Sequence, residues 1–281
     1  MTGLPFVKMH GAGNDYVHLD GLRDGITADQ AAEWAVELAD RQCGVGGDGL
    51  ILTGPSDRAD VRMHMWNADG SRGAMCGNGL RQVARLAHDH GHATGPSISI
   101  ETDAGVFCVQ ILRDAGGQID AASVPMRGAS VASEASILEI EGRALRYRRG
   151  SVGNPHAVVF VDEDLETFPV ADVGAGFQAS ESFPDGVNVE FVRVLGPSRV
   201  AQRTFERGSG ETLACGTGAT VVALACWATG CCTAPELEVV LRGGMLRFTR
   251  QADGTPVMTG PVAVVCHGVV HLPLARRGAS S

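Results

Sequence analysis

The chain has 281 residues, 44% hydrophobic and 20% charged, with 23 Lys+Arg against 32 Asp+Glu for a formal net charge of −9. That balance offers no basic field to a nucleic-acid backbone, and the longest nearly apolar stretch, Ala219 to Ala228, is half of the roughly 20 residues a membrane-spanning helix needs. Neither nucleic acid nor a membrane is an expected partner; the expectation is a cytoplasmic protein whose eight cysteines are reduced, with no CxxC pair for structural zinc.

In chain order, Lys8 is the only lysine. A Schiff-base mechanism would have to use it, and read alone it is a solvated or strand-flanking lysine, which disfavours pyridoxal phosphate chemistry. Leu80 to His90 places Leu80, Val83, Ala84 and Ala87 at helical spacing, with Gly91 as the expected C-cap. Ile98, Ile100 and Thr102 alternate as a strand, and Asp114 to Gln118 is a turn-rich break. The apolar run Ala157 to Val161 reads as a buried strand, and Val187, Val189 and Phe191 alternate. Ala219 to Thr229 is a helix apolar on all sides, and therefore buried, ending at Gly230. A last apolar strand covers Val262 to Val270, and Arg276 to Ser281 reads as a disordered polar tail.

Self-similarity organises these elements. Cys76-Gly77-Asn78-Gly79 recurs as Cys215-Gly216-Thr217-Gly218, an offset of 215 − 76 = 139 that also takes Asn67 to Glu206, Gly91 to Gly230 and Gly105 to Gly244. Gly13-Asn14 matches Gly153-Asn154 at 140, and Asp48-Gly49 matches Asp185-Gly186 at 137. The reading is a duplication giving an α+β protein of two pseudo-symmetric domains, each a mainly antiparallel sheet or barrel wrapped around one central helix. The expected domains are 1–120 and 121–263, with 264–275 returning to the first.

Each CGxG tetrad enters a helix, where unpaired first-turn amides and the positive end of the helix dipole stabilise a thiolate and receive a carboxylate. Two thiols facing one carbon, one ionised and one protonated, would take a proton from one face and return one to the other. That is inversion at a carbon acid without a cofactor, provided the helix-start amides stabilise the developing carbanion. A lone cysteine beside glycine is usually a core residue. Its repetition at equivalent points favours function for Cys76 and Cys215, while Cys43, Cys108, Cys226, Cys231, Cys232 and Cys266 are expected to pack.

The segments Lys8 to Asp15, Asn67 to Ser71 through Met75 to Gly79, Gly153-Asn154-Pro155-His156, and Glu206-Arg207-Gly208 through Glu211 to Gly218 resemble the diaminopimelate epimerase family over nearly the whole chain. The resemblance implies that family's fold, no cofactor, no metal, and Cys76 and Cys215 as the acid/base pair interconverting LL- and meso-diaminopimelate, in lysine and peptidoglycan-precursor synthesis. It implies that Gly77, Asn78, Gly216 and Thr217 bind the reacting carboxylate, that Glu206 meets the α-ammonium, and that Glu206 and His156 tune the thiols. Asn14, Asn67, Asn154, Asn188 and Arg207 would hold the substrate, chiefly its distal end, where an arginine fork suits a carboxylate and amides suit an ammonium. A homodimer is implied as well. Two positions depart from the family pattern: Gly49 stands where many members have a substrate-contacting Gln, and Cys266 where many have a Tyr at the dimer contact. The rival readings are another amino-acid racemase of the same superfamily, for which Arg207 would lack a distal carboxylate, and a catalytically silent binding or thiol-redox homologue.

Overall fold

A computed structural model describes residues 3–272; the expected tail from Arg276 and the end of the 264–275 segment lie outside them. The chain divides into two compact units, one running to Val124 and resuming at Pro261, the other Pro125–Gly260.

In the first unit, β1 (Leu4–Gly11) turns into β2 (Asn14–Asp20) through Ala12 and Gly13, both at positive φ. After the short α1 (Gly21–Asp24) comes α2 (Ala28–Ala39), started by a capping box in which Thr27 and Gln30 satisfy each other's backbone amides. Its buried Ala31, Ala35 and Leu38 pack with Val17, Leu19, Leu50, Leu52 and Trp66. β3 (Gly49–Gly54) runs parallel to β2, and β4 (Val61–Asn67) pairs antiparallel with β3 and with the short β5 (Arg72–Gly73). Next, α3 (Gly77–Asp89) buries Leu80, Val83, Ala84, Leu86 and Ala87. β6 (Ser97–Thr102) then lies parallel to β4 and antiparallel to β7 (Gly105–Arg113), which pairs with β8 (Ile119–Pro125).

The second unit repeats this order after β9 (Ser130–Val131). β10 (Ser136–Ile140), β11 (Arg143–Ser151) and β12 (Pro155–Phe160) form antiparallel pairs, and α4 (Val170–Gln178) packs into a cluster containing Tyr147, Phe168, Phe183 and Phe191. β13 (Asn188–Gly196) is parallel to β12. β14 (Arg199–Glu206) is antiparallel to β13 and to β15 (Gly210–Thr212). α5 (Gly216–Thr229) is buried along most of its length, as its uniform apolar sequence requires, and Gly230 caps it in the left-handed region. β16 (Glu236–Leu241), parallel to β14, is followed by β17 (Gly244–Arg250) and β18 (Pro256–Pro261). The chain then returns to the first unit with β19 (Ala263–Val270), antiparallel to β1. Mainly antiparallel ladders with a buried helix in each unit make the fold α+β.

Four details differ from the sequence reading. Beyond its central helix the first unit has α1 and α2, and the second has α4. His90 rather than Gly91 caps α3, and Gly91 follows at a φ of +76°. Lys8 is neither solvated nor flanking: it sits mid-strand, buried, with Nζ 2.6 Å from Asp15 and donating to the Gly46 carbonyl, which offset its desolvation. The repeat also runs differently through β3. Tyr16 stands beside Gly49 on β2–β3 and His156 beside Asn188 on β12–β13, so Gly49 corresponds to Asn188, an offset of 188 − 49 = 139 rather than 137. The loops before these strands differ in length, which is why Asp48-Gly49 falsely matches Asp185-Gly186.

A buried histidine makes the fold acid-sensitive. His18 on β2 is fully buried, with Nε2 2.8 Å from Gln82 Oε1 of α3 and no partner for Nδ1 among the described residues. Because Gln82 Nε2 donates to the Asn14 carbonyl at 3.1 Å, its oxygen faces His18 and accepts the imidazole N–H. Burial pulls the His18 pKa from 6.5 down to about 4. The unfolded chain thus binds a proton near pH 6.5 that the folded chain refuses until about 4, so stability falls on acidification through that window, by up to about 3 kcal/mol. Urea unfolding of His18→Gln is expected to show a flatter dependence between pH 6.5 and 4; a slope equal to that of the wild type would contradict the assignment.

Candidate active site

In the first unit, Cys76 is the N-cap of α3, in extended backbone conformation, and its sulfur accepts from the Gly79 amide at 3.4 Å. Tyr16 Oη donates to the same sulfur at 3.7 Å, and the thiol donates to Asn14 Oδ1 at 3.4 Å. Asn14 Oδ1 also accepts from Asn78 Nδ2 at 3.0 Å, and Asn14 Nδ2 donates to Asp48 at 2.6 Å. Beneath the helix start lies Arg81, fully buried, donating to Asn78 Oδ1 and to the carbonyls of Gly77 and Pro261. Desolvation pushes the Cys76 thiol up, against the pull of the Gly79 and Asn78 amides, the Tyr16 hydroxyl and the Arg81 charge. Burial in turn lowers Arg81 to about 10, so it remains a cation at neutral pH.

In the second unit, Cys215 caps α5 in the same backbone conformation, with its sulfur 3.4 Å from Thr217 Oγ1. Its surroundings have the opposite sign. Burial, then the charges of Glu206 and Glu190, push the Cys215 thiol well above its ordinary value, against weaker pulls from Thr217 and the Gly218 amide. Glu190 is fully buried on β13 and lies 2.8 Å from His156 Nδ1, while His156 Nε2 donates to Asn154 Oδ1 at 3.1 Å. Glu190 Oε2 has no partner among the described residues, and burial raises the Glu190 pKa despite the opposing pull of His156. Glu206 Oε1 accepts from Thr212 Oγ1 at 2.5 Å.

The residues expected from sequence thus gather within each unit. Asn14, Gly77 and Asn78 surround Cys76; Thr217, Glu206 and, through Glu190, His156 with Asn154 surround Cys215. Asn67 ends β4 and donates to Ser71 at 2.9 Å, apart from the Cys76 hydrogen bonds. Asn188 is buried and accepts the Arg207 amide at 2.9 Å, while the Arg207 guanidinium donates to the Asp185 carbonyl at 2.9 Å and is exposed. Gly49 has a steric cause: a Cβ there would lie 2.1 Å from the Trp66 carbonyl oxygen, so the local backbone excludes the Gln of many family members. Cys43, Cys108 and Cys266 are exposed rather than packed.

Sequence reasoning missed Tyr16, Arg81 and Glu190. The corrected repeat would have found them, because Tyr16 corresponds to His156, Arg81 to Thr220, and Ile51 to Glu190. Each pair places different chemistry at an equivalent point near a helix start. Elsewhere in the first unit, His90 Nδ1 and His92 Nε2 lie 2.6 and 2.8 Å from one oxygen of Asp20, whose other oxygen accepts the Arg23 amide. That cluster is a filled hydrogen-bond network.

The diaminopimelate epimerase family model matches residues 6–127 and 150–265. The chain belongs to the diaminopimelate epimerase family. A diaminopimelate epimerase of Leptospira biflexa is 37% identical, over 95% of this chain and 99% of the relative. One from Geobacillus thermodenitrificans is 39% identical, over 96% and 98%. Among solved structures, a phenazine biosynthesis protein of the PhzF family from Bacillus anthracis is similar with a TM-score of 0.73 at 20% identity, covering 97% of this chain and all of that one. A hydroxyproline epimerase from Agrobacterium vitis has a TM-score of 0.72 at 18% identity, covering 96% and 93%. At those identities the likeness establishes the shared fold alone. No helix among the described residues is long and apolar enough to cross a membrane.

Proposed function

We propose that this isomerase interconverts LL- and meso-diaminopimelate, one thiol removing the α-proton and the other returning a proton to the opposite face, with no cofactor, in lysine and peptidoglycan-precursor synthesis. The carrying observation is the pair of helix-cap cysteines, Cys76 and Cys215, at equivalent repeat positions in electrostatic surroundings of opposite sign. A two-base reaction needs one ionised and one protonated group at the start. Burial raises both thiols, but Arg81 and the α3 amides oppose that rise at Cys76 whereas Glu206 and Glu190 add to it at Cys215, so Cys76 is the thiol that ionises more readily and Cys215 the one that keeps its proton.

Abstraction by Cys76 leaves charge that spreads into the α-carboxylate. The first-turn amides at Gly77, Asn78, Gly216 and Thr217 are preorganised donors for that charge. Proton return from Cys215 leaves its thiolate beside carboxylates, an unfavourable state that favours reprotonation. Glu206 receives the α-ammonium; Asn14, Asn67, Asn154, Asn188 and Arg207 hold the distal amino-acid group. His156, fixed between Glu190 and Asn154, acts on the thiols through that pair rather than by direct contact.

The location is cytoplasmic, and the two halves are the catalytic domains. A second copy docks along β19, where Val265 and Val269 are 58% and 59% exposed beside Cys266. Incubating LL-diaminopimelate with the enzyme in heavy water is expected to yield meso product carrying deuterium at one α-carbon. Absence of both product and label would reject the reading.

A further inference from the structure

At the far end of α5, about 20 Å of helix from Cys215, three further cysteines converge. Cys226 lies on the last turn, and Cys231 and Cys232 follow the Gly230 cap. Their sulfurs all lie within 4.8 Å of one another. Cys226 and Cys232 are buried and Cys231 is half-buried, so the group has one face toward solvent. Backbone contacts hold it together: the Cys232 amide and the Cys231 thiol both donate to the Cys226 carbonyl, and the Cys232 thiol donates to the Gly196 carbonyl at the end of β13.

We propose that Cys226, Cys231 and Cys232 form a binding site for a thiophilic divalent cation of the zinc and cadmium class, with three thiolate ligands and a fourth position open to solvent. The spacing fits. A metal with bonds of about 2.3 Å to three sulfurs places those sulfurs roughly 3.8–4.0 Å apart, which the cluster reaches by small side-chain adjustments. The electrostatics fit too, because the aligned peptide dipoles make a helix C-terminus negative and a cation there is favoured. Cys231, the half-buried member, is the ligand an ion meets first from solvent. Three metal–sulfur bonds form, and the thiol protons of Cys226, Cys231 and Cys232 leave to solvent, with no change of oxidation state. The bound ion ties the end of α5 to the approach to β16.

Cadmium titration of the reduced protein, read by its sulfur-to-metal charge-transfer absorption, tests the site. One equivalent is expected to bind, and binding is expected to persist in Cys76→Ala/Cys215→Ala, which removes the two helix-cap thiols. Cys231→Ser, altered at the half-exposed position, is expected to bind more than about tenfold more weakly, a loss that even residues behind a ligand can cause. Zinc is expected to raise the unfolding midpoint of the wild type and not of Cys231→Ser. Absence of the band in reduced wild-type protein, its loss in Cys76→Ala/Cys215→Ala, or undiminished binding by Cys231→Ser would each overturn the proposal.

Discussion

Replacing either Cys76 or Cys215 by serine is expected to lower kcat/KM for diaminopimelate about a thousandfold, near 4 kcal/mol of transition-state stabilisation. Both losses are large because each turnover uses both groups, one as base and one as acid. A hydroxyl has the size to fit either helix cap but is a far weaker acid than a thiol, so neither role survives. The substitutions differ in a second readout. Cys76 lies beside the buried Arg81 and accepts the Gly79 amide, whereas Cys215 faces the charges of Glu206 and Glu190. Alkylation rates followed by peptide mapping across pH are therefore expected to rise at lower pH for Cys76 than for Cys215. Near-full activity in either serine variant would contradict the two-base scheme. Coincident alkylation profiles would contradict the assignment of Cys76 as the more readily ionised thiol.

Much of this arrangement is written in the sequence because duplication writes it twice. The CGxG tetrads, the Gly13-Asn14 and Gly153-Asn154 turns, and the uniformly apolar α5 are local patterns, and each occurs where its pattern predicts. The helix α2 was equally legible, since Thr27 and Gln30 spell a capping box. What sequence conceals is the chemistry carried by non-local register. Glu190 reads as one residue of the alternating strand Val187 to Phe191, and Ile51 as one of an apolar run. Only the ladder partners Tyr16–Gly49 and His156–Asn188 set the two strands in corresponding positions. That correspondence turns an unremarked glutamate into the buried carboxylate behind Cys215. Gly49 is similar: its sequence context suggests a lost substrate contact, but the cause is the Trp66 carbonyl, which leaves no room for any side chain.

The last glycine of each tetrad shows what that asymmetry costs the protein. A Cβ at Gly79 would lie 2.8 Å from Ile51 Cδ1, the end of an apolar side chain, whereas a Cβ at Gly218 would lie 2.3 Å from Glu190 Oε1 and 2.9 Å from its Cδ. Glu190 has no easy retreat, being fully buried and held by His156. Overpacking of this kind costs about 1–3 kcal/mol, offset by about 0.5–1 kcal/mol from alanine's better helix propensity. Gly218→Ala is therefore expected to lose about 1–2 kcal/mol of stability, more than Gly79→Ala. Its effect on turnover is expected to be larger, near a hundredfold, because the clash is relieved by shifting either Glu190 or the amides at Gly216 and Thr217, and displacements of about 1 Å in catalytic positioning carry that penalty. Adding Glu190→Ala removes the obstructing carboxylate. The double variant is then expected to be at least as stable as Glu190→Ala alone, a non-additivity that urea unfolding reads directly. Its turnover should stay low, because the carboxylate that orients His156 and holds the Cys215 proton is gone. Wild-type turnover in Gly218→Ala, or strictly additive stability losses, would show that Glu190 and the α5 start are not coupled in this way.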